Sequence, residues 1–469
     1  MASGIQKNKG YPRAPGDLNM QLRHLCAAVG MAAFMVANTA SATVHRVYPG
    51  ESIQAAIDVA APGDTILVEP GTYNFTPGPK EDGKYYYGLR IKTDNLRLIG
   101  KEVPGRGEAG KVRLVYVAPP PPNNVKRADD VGAGIYAAPD VSLPGSSRSC
   151  DPDVADDSAL GRYCRENSVK GFYVRGFSVE GFPRNGIQTR WVDGFEFVRN
   201  ASVNNLNNGI YPTLSANGLV QNNVSYGSLD TAMWVAGSEN VRVIGNEVFG
   251  SVIGFEITVS KNVLFTQNKV YDNTVGIGLF HPLGAGNPPT AVKDFAGWVI
   301  EHNEVRDNNR PNEAVPGTFQ SALPSGIGIL LTGVSGQTIA KNTVEGNEFV
   351  GIAVLGWCTA NFGGPNSCDK KPPIINGVYY PTAVSDNLIS QNKVGDNGTS
   401  PPEEPPFPPA DLLYVQFALL GDEGGAGNCF EKNKPSDFTS FASTELDLSN
   451  YPDFVPVPGE LPTDGCKRP

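Results

Sequence analysis

The sequence predicts an all-β fold, a single-stranded parallel β-helix solenoid, and three observations carry that prediction. A short phrase, asparagine with valine two residues on, occurs at Asn222, Asn246, Asn268, Asn303, Asn342 and Asn392, and Asn200-Ala201-Ser202-Val203 reads as a slightly stretched earlier copy. The uninterrupted steps are 22, 24 and 22 residues (200 to 222, 222 to 246, 246 to 268). Such a period belongs to units that bury their apolar faces against their neighbours. Within one step Asn240-Val241-Arg242-Val243-Ile244 alternates, Gly245-Asn246 turns, Glu247-Val248-Phe249 follows, Gly250 breaks, and Gly254–Val259 alternates again. Three short strands and three turns at about 3.3 Å per residue make one coil. A leucine-rich horseshoe has a similar period, but its leucine consensus and helical segment are missing.

In chain order, Arg23 and His24 precede an apolar run from Leu25 to Val36 and the small residues Ala40-Ser41-Ala42. That is the pattern of a secretory signal, so residues 1–42 are expected to be a leader, with Met20 as an alternative start. The run is shorter than the roughly 20 residues of a membrane span, and no later stretch could make one. Ser52 is placed to cap a short helix through Ile53, Ala56 and Ile57, which would cover the open end of the solenoid. Thr65-Ile66-Leu67-Val68 then begins a strand that stops at Pro70-Gly71. The β-helix is expected over 43–430, with insertions near 119–165, 282–295, 310–324 and 357–380, and a C-terminal tail over 431–469. Loops inserted after equivalent strands emerge on one face, which is commonly the binding face.

The passage Ser52-Ile53-Gln54-Ala55-Ala56-Ile57, Ala61-Pro62-Gly63-Asp64-Thr65-Ile66 and Pro70-Gly71-Thr72-Tyr73 resembles the opening of the pectin-lyase-like superfamily. Gly276–Gly284 and Gly427-Asn428-Cys429-Phe430 look like elements of a bacterial branch of such proteins. The resemblance implies a right-handed parallel β-helix, and a carbohydrate-directed role, since many members are secreted polysaccharide lyases, hydrolases or epimerases. The Gly-His-Gly and paired-Asp pattern of the polygalacturonase-like hydrolases is absent. So is the Asp-Pro-His-Asp pattern of the alginate epimerases, to which Phe280-His281-Pro282 is the nearest text. No pectate-lyase calcium triad with a partner arginine is evident.

The chain carries 38 basic and 48 acidic residues, a formal charge of −10. Without residues 1–42 these become 34 and 47, or −13, because Lys7, Lys9, Arg13, Arg23 and Asp17 leave. Such a surface repels nucleic acid and anionic lipid unless cations bridge, and does not favour unassisted binding of acidic polymers. Six of the seven cysteines remain in the exported chain, and an even count in an oxidising compartment points to disulfides. Sequence proximity favours Cys150–Cys164, Cys358–Cys368 and Cys429–Cys466 among the fifteen ways of pairing six cysteines.

Aligning the coils on glycine (or alanine) plus an apolar residue sends Ile187, Ile210, Met233, Phe255, Ile277, Ile327 and Ile352 inward. The next residues, Gln188, Tyr211, Trp234 and Glu256, then Gly278, Gly328 and Ala353, should point outward as a continuous exposed column. Sugar rings stack on exposed aromatics, and an acid beside them suits general acid–base work. Arg190 and Arg184 would pair with the carboxylate of a uronic acid, with Tyr211, Trp234 and Gln188 completing a substrate surface. Glu256, Asp230 and His281 are the candidate catalytic groups. Read structurally, the same column is ordinary cross-strand pairing and a lone histidine is a packed or solvated one. Asp151, Asp153, Asp156 and Asp157 form an oxygen-rich cluster that would take calcium, or stand as a solvated acidic loop; no other cofactor is expected. The functional expectation is an exported, periplasmic or extracellular protein that binds a linear polysaccharide or cell-surface glycan. The sequence leaves lyase, epimerase and hydrolase open. The rival is a non-catalytic scaffold whose loops bind another protein; the oligomeric state is left open.

Overall fold

The computed structural model describes residues 42–76, 86–105, 110–117, 132–145, 149–150, 159–285, 296–364, 366–375, 377–434, 439–447, 449 and 455–467. One coil shows the plan. Glu239–Ile244 lies in a first sheet, Glu247–Phe249 in a second and Ile253–Thr258 in a third. Repetition builds stacks of twelve, ten and twelve strands, and neighbours within a stack come from successive coils. The pairing is parallel, with Val241 beside Val263, Val248 beside Val270 and Phe255 beside Ile277. A coil cannot pair its own strands; each strand's backbone groups find partners in the coils on either side.

The interior is mainly apolar. Val241, Val243, Val248, Phe255 and Ile257 are buried, as are Val263, Phe265, Val270, Ile277 and Leu279 in the next coil. At the N-terminal end the six-residue helix Ile53–Asp58 turns Ile53 and Ile57 onto the stack. Its cap is Ser52, whose hydroxyl accepts the Ala55 N–H at 3.1 Å.

Between the first and second sheets the repeated asparagines form a buried ladder. The backbone N–H and the Nδ2 of Asn246 both donate to Asn268 Oδ1, at 2.8 and 3.0 Å, and Nδ2 also reaches the Val220 carbonyl. The series runs Asn200, Asn223, Asn246, Asn268, Asn303, Asn342, Asn392 and Asn433. It passes through Asn223 and not Asn222, so the early separations are 23, 23 and 22 residues. Asn222 instead takes the left-handed position in front of the ladder residue, where Gly245 and Gln267 stand in later coils. The other two corners carry ladders as well. One runs through Ser215, Ser238 and Ser260 and resumes at Gln337, Asn387 and Asn428. The other runs through Ser251, Asn273, Asn308, Asn347 and Asn397 and ends on Asp411. Each severed rung would leave buried polar atoms unsatisfied, at about 1–3 kcal/mol apiece.

Two stretches set outside the coils by the sequence reading carry sheet strands. Ala133–Ala137, inside the 119–165 insertion, pairs with both Leu89–Ile91 and Asn185–Arg190 in the third sheet. In the tail, Ser440–Asp447 adds to Ala410–Val415, and Val455–Gly459 closes that sheet antiparallel. Cys150–Cys164, Cys358–Cys368 and Cys429–Cys466 are disulfide-bonded, as sequence proximity suggested. Among the described residues no helix is long and apolar enough to cross a membrane. The leader up to Ser41 and the acidic cluster of Asp151, Asp153, Asp156 and Asp157 lie outside the described residues.

Candidate functional site

The third sheet presents three outward columns, set by strict register. The first holds Asn185, Asn208, Thr231, Ile253, Val275, Ile327 and Val350; the second Gln188, Tyr211, Trp234, Glu256, Gly278, Leu330 and Ala353; the third Arg190, Thr213, Ala236, Thr258, Phe280, Thr332 and Leu355. The expected alignment holds through Ile277 and then slips by two residues. Ile329, not Ile327, is the inward partner of Ile277, and Leu330, not Gly328, follows Gly278 in the outward column. The cause is the doubled text Gly326-Ile327-Gly328-Ile329. Gly328 is the corner glycine, where a Cβ would meet the Gly351 carbonyl oxygen at 2.6 Å.

Tyr211, Trp234 and Glu256 are neighbours in one column, but not an open platform. Tyr211 and Trp234 stack with centroids 4.6 Å apart and planes 10° apart. Stacking at the spacing of coils turns the ring faces toward adjacent coils and leaves the edges for solvent. Both residues are half-buried, and Trp234 Nε1 donates to Thr258 Oγ1 at 2.9 Å. Glu256 is fully buried, which corrects the expectation of an exposed acid. Its Oε2 accepts the Thr231 hydroxyl at 2.6 Å, and Asp230 Oδ1 lies 3.5 Å from that hydroxyl. Asp230 is buried at the turn before the strand.

Electrostatics tie these groups together. The Tyr211 phenol is pushed up to about 12, first by burial, with the charges of Glu256 and Asp230 adding to it against Thr213 and Arg190. The phenol therefore stays protonated at physiological pH. Tyr211 as a whole is half-buried. Gln188 and Arg190 are half-buried in the preceding coil, and Gln188 Oε1 accepts from Asn185 Nδ2 at 2.8 Å. Arg184 and Asn207 stand in the turn position of Asp230, as successive backbone bonds show.

His281 does not join this group. It is buried against Trp357, ring centroids 5.2 Å apart, and lies edge-on to Tyr380. Its Nδ1 accepts the Leu283 N–H at 3.2 Å, closing the turn after the strand. Burial draws the imidazole down to about 4, against the pull of the Tyr380 and Pro381 backbone. It is neutral at physiological pH. Cys429, Glu431 and Cys466 converge as metal-type ligands, but both sulfurs are spent on the disulfide.

Sequence reasoning missed the first outward column, with Asn185, Asn208 and Thr231. It also missed the ladder carried by Asn273, Asn308, Asn347 and Asn397. A signal for that ladder exists, since each follows a first-ladder asparagine by five residues. A half-buried aromatic stack on the second sheet, Tyr226, Phe249 and Tyr271, also went unread; its steps of 23 and 22 residues could have found it.

Residues 185–366 match the family model described as a right handed beta helix region. With the coil topology, this makes the fold a right-handed parallel β-helix. No curated protein matches its sequence. Among solved structures, the A-module of Azotobacter vinelandii mannuronan C-5 epimerase AlgE6 is similar at 14% identity, covering 83% of this chain and 93% of that one, with a TM-score of 0.49. The DFA-IIIase from Arthrobacter chlorophenolicus A6 in complex with GF2 is also similar at 14% identity, with 84% and 78% covered and a TM-score of 0.45. Pectate lyase Pel9A is similar at 12% identity, with 86% and 79% covered and a TM-score of 0.37.

Proposed function

We propose that this is an exported protein that binds a linear polysaccharide across the polar part of the third sheet and performs acid–base chemistry on it. Gln188, Arg190, Tyr211 and Trp234 offer the accessible edges, and Glu256 and Asp230 supply the carboxylates. One observation carries the reading: Glu256 lies fully buried in a column whose next members are Gly278, Leu330 and Ala353. A β-helix needs no carboxylate there, and burying one is costly unless it is paired. The positive charge of Arg190 and Arg184 suits a uronate-bearing chain. Glu256, held by Thr231, is the candidate general base and Tyr211 a donor to a developing oxyanion. Proton removal beside a carboxylate fits a lyase or epimerase, and the carboxylate pair with Asp230 fits a hydrolase. Three disulfides suit an oxidising, periplasmic or extracellular setting.

A panel of acidic and neutral polysaccharides, assayed for binding and product, tests the proposal with wild type, Trp234→Ala and Glu256→Gln. Trp234→Ala should weaken binding about tenfold. Glu256→Gln should retain binding while turnover falls about 10²- to 10⁴-fold. A wild type that holds no glycan sinks the reading. Binding untouched by Trp234→Ala moves the site elsewhere.

A further inference from the structure

Away from the polar columns, the loop after Val350–Leu355 ends in a small antiparallel ribbon, Ile374–Ile375 against Val378–Tyr379. Ile374 pairs with Tyr379 and Ile375 with Val378, so the two pairs lie on opposite faces. Ile374, Val378 and Tyr379 are 54%, 48% and 57% exposed. A ribbon resting on a flat protein partner needs one apolar face. This ribbon is apolar on both, which suits a medium that surrounds it.

Its root is fixed. Tyr380 is buried edge-on to His281, and its N–H donates to the Pro373 carbonyl at 2.9 Å. Upstream, the Cys358–Cys368 disulfide staples the loop, and Asp422 accepts the Cys358 and Thr359 N–H groups at 3.0 and 2.7 Å. At the base, exposed Lys370 and Lys371 spend their hydrogen bonds on neutral oxygens, those of Gly363, Gly364 and Asn366. Two lysines against Asp369 make this a locally basic spot on an acidic chain.

We infer that this ribbon inserts into the headgroup region of a lipid surface bearing anionic headgroups, with Ile374, Val378 and Tyr379 entering and Lys370 and Lys371 meeting the charge. The attachment is peripheral and reversible, because three side chains bury little more apolar area than a single acyl chain does. It is independent of the polysaccharide reading, since none of these residues lies in the outward columns.

The test is sedimentation of the full chain with vesicles of phosphatidylcholine, with and without phosphatidylglycerol. Wild type should co-sediment with the mixed vesicles. Ile374→Asp with Val378→Asp should lower that partition about tenfold or more. Lys370→Glu with Lys371→Glu should reduce it only where phosphatidylglycerol is present. All these side chains are exposed, so unchanged melting temperatures show that the variants fold. Wild type remaining free of both vesicle types, or the aspartate variant partitioning like wild type, overturns the inference. So does self-association through the ribbon that persists without lipid.

Discussion

Along the outer face of the third sheet, the strands Asn185–Arg190, Ile210–Thr213, Thr231–Ala236 and Ile253–Thr258 differ from the strands beyond them. The earlier ones present Asn185, Gln188, Arg190, Asn208, Tyr211, Thr231, Trp234 and Glu256; the later ones present Val275, Phe280, Ile327, Leu330, Val350, Leu355, Leu413 and Val415. Backbone, register and coil spacing are the same. What differs is the cover. Phe319, Ala314, Leu323, Phe407, Phe417 and Ala360 come from inserted loops and form a second apolar core on the later strands. An outward position is thus not a solvent position in a solenoid. Its chemistry follows the loop above it, and the polar half keeps carboxylates where the sealed half shows that aliphatic residues fit.

The sharpest way to break this comparison is to move a carboxylate two coils along its own column. Leu330→Glu places a charge under Phe319 and Leu323 with no cationic partner in that apolar cluster, and should cost more than about 4 kcal/mol in denaturant unfolding. A stable Leu330→Glu protein would mean that the loops do not seal that half.

Next in size is a pH effect from the sealed half. His281 falls from 6.5 unfolded to about 4 folded, so the unfolded chain binds more protons in between. Stability should be full above about pH 6.5, decline through the window from 6.5 to 4, and lose about 3 kcal/mol by its foot. His281→Gln should flatten that part of the stability–pH curve. An unchanged slope would assign the acid sensitivity to other groups.

The smallest effect belongs to the polar half. Tyr211→Phe removes one hydroxyl of a half-buried side chain and should cost about 1 kcal/mol of stability, while lowering polysaccharide turnover more than binding. Equal loss of both would make Tyr211 a packing residue.

The fold was legible because its signals are periodic and local. Asparagine every 22 to 24 residues, Val241 and Val243 alternating, and Ser52 before Ile53 each announce an element without reference to distant chain. The outward column was legible for the same reason as far as Gly278, and failed at Gly326-Ile327-Gly328-Ile329, where two alignments satisfy one pattern. The burial of Glu256 was not legible. It depends on what lies over the sheet, and no periodicity within the coils encodes a loop's path.

The corner ladders have a consequence for how such a chain can change over generations. Asn246 and Asn268 are 22 residues apart, Asn268 and Asn303 35, Asn303 and Asn342 39, and Asn342 and Asn392 50, yet every rung closes at 3.0 Å. Contour length between rungs has no hold on the rung itself. Loops can therefore be lengthened, traded or lost while the frame stays in register, so new surface chemistry can arise by insertion without the interior being solved again.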